Sequence, residues 1–130
     1  MHWSDKYVGT PYIVGLYDCG DHTQNVLNNE FNRQIYFPAR WDDSLDVLTE
    51  QLEDEKDYYA NQISIEKAFD GDVLLMGSTS GNIHHIGILF RIGNVLYVSH
   101  NVKSIGSVVV NKVKDLKLYG FFPKEVWRTK

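Results

Sequence analysis

A chain of 130 residues, 43% hydrophobic and 23% charged, is long enough to form one domain (residues 1–130) around its own core. Its formal net charge of −4 and pI near 5.6 argue against a surface built to track phosphates, which excludes nucleic acid as an expected partner. No run of about 18 apolar residues is present to span a membrane, and a single cysteine cannot close an internal disulfide.

In chain order, the start Met1-His2-Trp3-Ser4-Asp5-Lys6 lacks the charged head and apolar core of a signal peptide. The expectation is synthesis in a reducing compartment. A turn at Gly9-Thr10-Pro11 precedes a helix expected to start near Asp18 or Cys19, with Val26, Leu27 and Phe31 on its apolar side. Asp18 or Asp21 is placed to cap its first amides. Phe37 to Trp41 reads as a loop. From Asp42 to about Ala60, Leu45, Leu48, Leu52 and Tyr59 form a helical stripe beside an acidic, solvated face. Strands follow: Asp72–Met76 behind the Asp70-Gly71 turn, a loop over Gly77–Asn82, then His84–Phe90, Val95–His100 and Ser107–Val113 as an antiparallel meander. Gly93-Asn94 turns the first of these pairs, and Leu118–Phe122 reads as a last strand before Pro123. Helices first and strands second make an α+β chain.

The chemistry-bearing residues are Cys19 and two histidines on apolar strands. A thiol at a helix start, beside an imidazole, becomes a nucleophile, and the outward-pointing amides there can hold the oxyanion of an attacked carbonyl. The bland alternative is a small buried hydrophobe. On the strand from His84, alternation puts His85, Gly87 and Leu89 on one face and His84, Ile86, Ile88 and Phe90 on the other. Gly87 leaves room for the Cys19 helix, which makes His85 the candidate base and His84 a structural histidine. His100 is placed to orient His85, with Asn101 and Tyr97 as competitors. Tyr12 is either an ordinary half-buried tyrosine or part of the oxyanion and substrate site, to which Asp18 and Gly20 also belong. A zinc reading of Cys19-x-x-His22 with His84 or His85 is disfavoured, because structural zinc usually takes two or more cysteines. No metal and no cofactor are expected.

These residues resemble the NlpC/P60 superfamily of papain-like cell-wall peptidases, and the match runs in order along nearly the whole chain. Tyr7-Val8-Gly9-Thr10-Pro11-Tyr12 leading through Gly15 to Asp18-Cys19 is similar to that family's entry to the catalytic helix. Gly71-Asp72-Val73 and His85-Ile86-Gly87-Ile88 are similar to its Gly-Asp-Val and His-x-Gly-Ile strands. His100-Asn101, Gly106-Ser107-Val108-Val109, Leu116 and Tyr119-Gly120-Phe121 are similar to its closing segment in tail-associated phage members. The chain departs from the pattern in Gly20-Asp21-His22 after the cysteine, in having only Gly15 where a glycine pair is usual, and in the longer spacing from His85 to His100. The resemblance implies a papain-like fold with N-terminal helices on a mostly antiparallel sheet. It also implies a Cys-His-His set with Cys19 as nucleophile and His85 as base, hydrolysing amide bonds in peptidoglycan stem peptides. It points to a phage tail or secretion apparatus as the route to the cell wall or periplasm. Other uses of the same thiol, as acyltransferase, deamidase or protein-directed peptidase, stay open, as does an inactive tail or adaptor protein.

Overall fold

A computed structural model describes residues 2–33, 60–78 and 83–129. The architecture is α+β: among the described residues, one α-helix and several 3-10 turns pack on a six-stranded antiparallel sheet. Helix α1 spans Cys19–Glu30. The strands are β1 Ala60–Ile63, β2 Val73–Gly77, β3 Ile83–Ile92, β4 Val95–Val102, β5 Ser107–Lys112 and β6 Phe122–Thr129, in the order β1-β6-β2-β3-β4-β5. Among the described residues no helix is long and apolar enough to cross a membrane.

Helix α1 starts where the sequence places it, for a reciprocal reason. Asp18 accepts a hydrogen bond from the Asp21 amide at 3.0 Å, while Asp21 accepts one from the Asp18 amide at 2.9 Å. Two first-turn donors are thereby satisfied. The Thr23 hydroxyl also donates to the Cys19 carbonyl at 2.9 Å. Val26 and Leu27 are fully buried, each such side chain contributing roughly 2 kcal/mol on removal from water. They pack with Tyr7, Val73, Leu75, Ile83, Ile86, Ile88, Val108 and Trp127 on one face of the sheet.

The opposite face carries Leu74, Met76, Leu89, Val98 and Val126, covered by Ala68, Val113 and Leu116. The meander of β3, β4 and β5 forms as the alternation predicts, with Gly93 at φ 62° in the first turn. Residues 9–12 lie along β5, with the Gly9 amide donating to Val108 at 3.0 Å and the Tyr12 amide to Gly106 at 2.9 Å. This addition shields an otherwise bare sheet edge.

The C-terminal end differs from the expectation. Val113–Tyr119 is a 3-10 segment closed by Gly120 at φ 83°, and the last strand runs from Phe122 through Pro123 to Thr129. Pro123 is tolerated because the register between β2 and β6 shifts between Leu75 and Met76, where Pro123 sits opposite Met76. Strand β6 then lies between β1 and β2, a long-range pairing that no local pattern announces. Of the segments read from sequence alone, the loop at Phe37–Trp41 and the acidic helix up to Tyr59 lie outside the described residues. Ala60, taken as that helix's end, begins β1.

Asp72 ties the sheet's turns together. Buried at the entry to β2, it accepts two bonds from the Arg128 guanidinium, both at 2.9 Å, and one from the Phe69 amide at 2.7 Å. Asp72→Ala is expected to cost about 2 kcal/mol, because three charge-assisted bonds are lost while Arg128 regains solvent. Thermal unfolding should register a fall in Tm on the order of 8 °C, with Asp72→Asn falling less.

Candidate active site

Cys19 is the first residue of α1 and is buried, with 2% of its surface exposed. Burial pushes its thiol pKa up, and the adjacent Asp18 carboxylate adds to this. The amides of Ile86, Gly20 and Cys19 itself point at the sulfur and oppose the shift without cancelling it. Burial dominates, so the group is a neutral thiol near pH 7. Its sulfur lies against the main chain of β3 at Ile86, one residue from His85.

The two strand imidazoles come together. His85 Nε2 and His100 Nδ1 are 2.8 Å apart, and His100 Nε2 lies 2.7 Å from Asn111 Oδ1. The end of this chain sets the proton positions. Asn111 Oδ1 only accepts, so His100 Nε2–H donates to it, and His100 Nδ1 is then the acceptor. His85 must therefore donate from Nε2–H, which leaves His85 Nδ1 as a bare basic nitrogen. Phe121 stacks on the His85 ring at 4.5 Å and meets the His100 ring edge-on at 5.5 Å, holding both in place.

Both rings are neutral. Burial pushes His100 down to about 4, opposed by its bond to Asn111, and pushes His85 well below its ordinary value, assisted by His100, His84 and His22. A third imidazole, His22 on α1, is lowered to about 4 by burial and by His100.

One expectation is corrected. The space at Gly87 does not admit the Cys19 helix. A Cβ there would lie 2.5 Å from Val98 Cγ2 and 3.0 Å from His100 Cβ, so β4 fills it. Strand alternation, with the register shift between Met76 and Gly77, turns His85 to the face of Met76, Leu89 and Val98. Cys19 packs instead on the face of Ile86 and Ile88. Among the described residues no hydrogen bond joins Cys19 Sγ to His85, and thiol and imidazole bracket the 85–86 peptide from opposite sides.

Of the three residues weighed as partners of His85, one is in hydrogen-bond contact with it. His100 is the residue bonded to His85. Tyr97 stacks on Phe90 at 5.3 Å, and the Asn101 amide donates to the Tyr17 carbonyl at 3.2 Å. Asp18 is the helix cap, Gly20 supplies an amide to the sulfur, and Tyr12 is half-buried and pinned through its main chain to the β4–β5 turn. His84 sits on the edge of the Phe121 ring, 6.4 Å between centroids. Among the described residues, no three His, Cys, Asp or Glu side chains gather as a metal site.

Comparisons with protein-family models, with curated proteins and with solved structures give no match for the chain.

Sequence reading missed Asn111, although it is the one polar residue in Val108-Val109-Val110-Asn111 and so interrupts an apolar run. It also missed Ser99 and gave His22 no role beyond zinc. The fully buried His22 ring bonds Ser99 Oγ at 3.0 Å on the α1 side of the sheet.

Proposed function

We propose that this protein is a cysteine hydrolase acting on amide bonds in peptidoglycan stem peptides. The observation that carries the reading is the His85–His100–Asn111 chain, because it leaves His85 Nδ1 unprotonated beside the 85–86 peptide, on whose other side Cys19 Sγ rests. A base whose tautomer is fixed from behind is what an acyl-transferring thiol requires.

With both partners neutral, the reaction begins from thiol and imidazole instead of a preformed ion pair. The reading requires that substrate binding bring Cys19 Sγ and His85 Nδ1 to one side of the 85–86 peptide; Sγ then attacks the substrate carbonyl as its proton passes to His85 Nδ1. The amides of Cys19 and Gly20 at the start of α1 hold the developing oxyanion. The imidazolium returns the proton to the leaving amine, giving an acyl-enzyme. Water, deprotonated by His85, then releases the acid. No metal or cofactor enters these steps. Delivery to the wall would come through a phage tail or a secretion assembly.

Incubating purified sacculi with wild type and with Cys19→Ala tests this reading. New amine ends identified by mass spectrometry should appear with wild type and fall to background with the variant. Equal product from both would remove Cys19 from the mechanism.

The sealed position of Cys19 favours a second reading, in which the domain is a catalytically silent tail or adaptor component. In that case wild type and Cys19→Ala both leave sacculi uncleaved, with no new amine ends from either, and cleavage by the wild type alone excludes it.

A further inference from the structure

A cleft of about 430 Å³ opens between the C-terminal end of α1 and the turn that leads into β2. That volume falls in the range of small-molecule sites, and a compact space of this size is about 9 Å across, so one small ligand reaches its lining groups. Phe31 forms one wall. Its ring lies against Gly71, where a Cβ would stand 2.8 Å from Phe31 Cδ1, and meets the Trp3 ring edge-on at 5.5 Å. Packing on both sides fixes this wall. Phe69, 61% exposed, supplies a second apolar surface.

Charge sets the cleft apart from the rest of the chain. Arg33, Lys67 and Arg128 line it together with Asp70 and Asp72, a local balance of +1 in a protein of net charge −4. Arg128 is spent on Asp72, through two bonds of 2.9 Å. Asp70 Oδ1 accepts the Arg91 amide at 2.8 Å. Arg33 and Lys67 are exposed, and their side chains make no hydrogen bond or ion pair among the described residues. Two such cations beside two aromatic surfaces suit an anion that carries an apolar group.

The main chain narrows the class. The amides of Phe31 and Arg33 both donate to the Leu27 carbonyl, that of Lys67 to Ser64 and that of Gly71 to Leu89, while Phe69 and Asp72 donate to each other. These six amides are committed and form no cradle of the kind that holds phosphate. Side-chain cations are left to hold the anion, and a balance of +1 suits a single charge, which is what a carboxylate carries at pH 7.

We propose that this cleft binds a small apolar carboxylate, its anionic group held by Arg33 and Lys67 and its apolar body resting against Phe31 and Phe69. The site goes beyond the proposed hydrolysis and stands without it. Cys19 begins α1 and Phe31 follows its last residue, about 18 Å away at 1.5 Å per residue, so the two ends of one helix serve two separate sites.

Titrating the nitrogen-15-labelled protein with sodium benzoate at constant ionic strength, followed by nuclear magnetic resonance, tests the site. Saturable shifts are expected at the Arg33, Lys67 and Gly71 amides and none at residues 19–22, with a Kd of about 1 mM for so small a ligand. Benzyl alcohol keeps the ring without the charge, and acetate keeps the charge without the ring. Each should bind about fivefold more weakly or worse, and benzylamine should not bind. Arg33→Ala and Lys67→Ala should each weaken benzoate about threefold to fivefold, as for an exposed ion pair, with Tm unchanged. Phe69→Ala should weaken benzoate and leave acetate as it was. Equal binding of benzoate and benzyl alcohol, shifts that do not saturate, or wild-type affinity in the Arg33→Ala, Lys67→Ala double variant overturns the site. Inorganic phosphate binding more tightly than benzoate at these residues overturns the choice of a carboxylate.

Discussion

Acidification from pH 7 to pH 4 is expected to unfold this protein, and three imidazoles are the reason. His22 and His100 are pushed down to about 4 by burial, and His85 is driven in the same direction. In the unfolded chain each titrates near pH 6.5. As the pH falls through 6.5 the unfolded state gains protons that the folded state refuses, so stability declines from there and levels off below about 4. At 1.36 kcal/mol per pH unit, His22 and His100 each withdraw about 3 kcal/mol across that window. Their sum is comparable to the whole stability of a domain this size, roughly 5–15 kcal/mol. Urea unfolding followed by circular dichroism at pH 7, 5.5 and 4 measures the effect, with a midpoint that drops between the first two and is near zero at the last. His22→Gln should flatten the profile by about half of the two-histidine contribution. A midpoint that does not move between pH 7 and 5 would mean that these rings are hydrated or already charged.

The same burial that makes the domain acid-sensitive bears on the chemistry. A histidine that cannot hold a proton in the folded state is a poor partner for a standing thiolate, and Cys19 is itself held as a thiol. The proposed reaction therefore takes its driving force from the substrate's arrival, when a carbonyl carbon accepts the sulfur as the proton leaves. Activity should have no ascending acid limb from a Cys–His ion pair. It should instead follow the folded fraction as the pH falls.

Local chemistry was legible from sequence because it depends on neighbours in the chain. The Asp18–Asp21 capping box, the start of α1 at Cys19, the Gly93-Asn94 turn and the β3–β4–β5 meander all rest on residues within a few positions of each other. The pairing of His85 with His100 was also legible, since two adjacent antiparallel strands bring such residues to one face. What escaped were relations set by distant parts. Strand β6 crosses to the middle of the sheet, and Pro123 is admitted by a register shift. Asn111 acts only once β5 lies beside β4. The side of the sheet chosen by His85 was readable as alternation, but which side α1 would cover was not, because both faces are equally apolar.

Gly87→Ala is expected to have the largest effect of any single methyl group added to the site. The new Cβ would stand 2.5 Å from Val98 Cγ2, 3.0 Å from His100 Cβ and 3.1 Å from the Ser99 carbonyl oxygen. Val98 has no room to retreat, since it is fully buried in the cluster with Leu74, Leu89 and Leu116. Strand β4 itself must move, at a cost of about 1–3 kcal/mol. His100 rides on that strand, and the 2.8 Å bond to His85 fails with a displacement of well under 1 Å. Once that bond breaks, nothing fixes the His85 tautomer, and the proposed hydrolysis should fall, by about 100-fold for a misplacement that reaches 1 Å. Adding Val98→Ala removes the nearest clash and should recover part of the Tm, and activity only if His100 returns to its place. A Gly87→Ala protein with wild-type Tm and wild-type turnover would show that β4 yields freely, and that the imidazole pair does not depend on the close approach of these two strands.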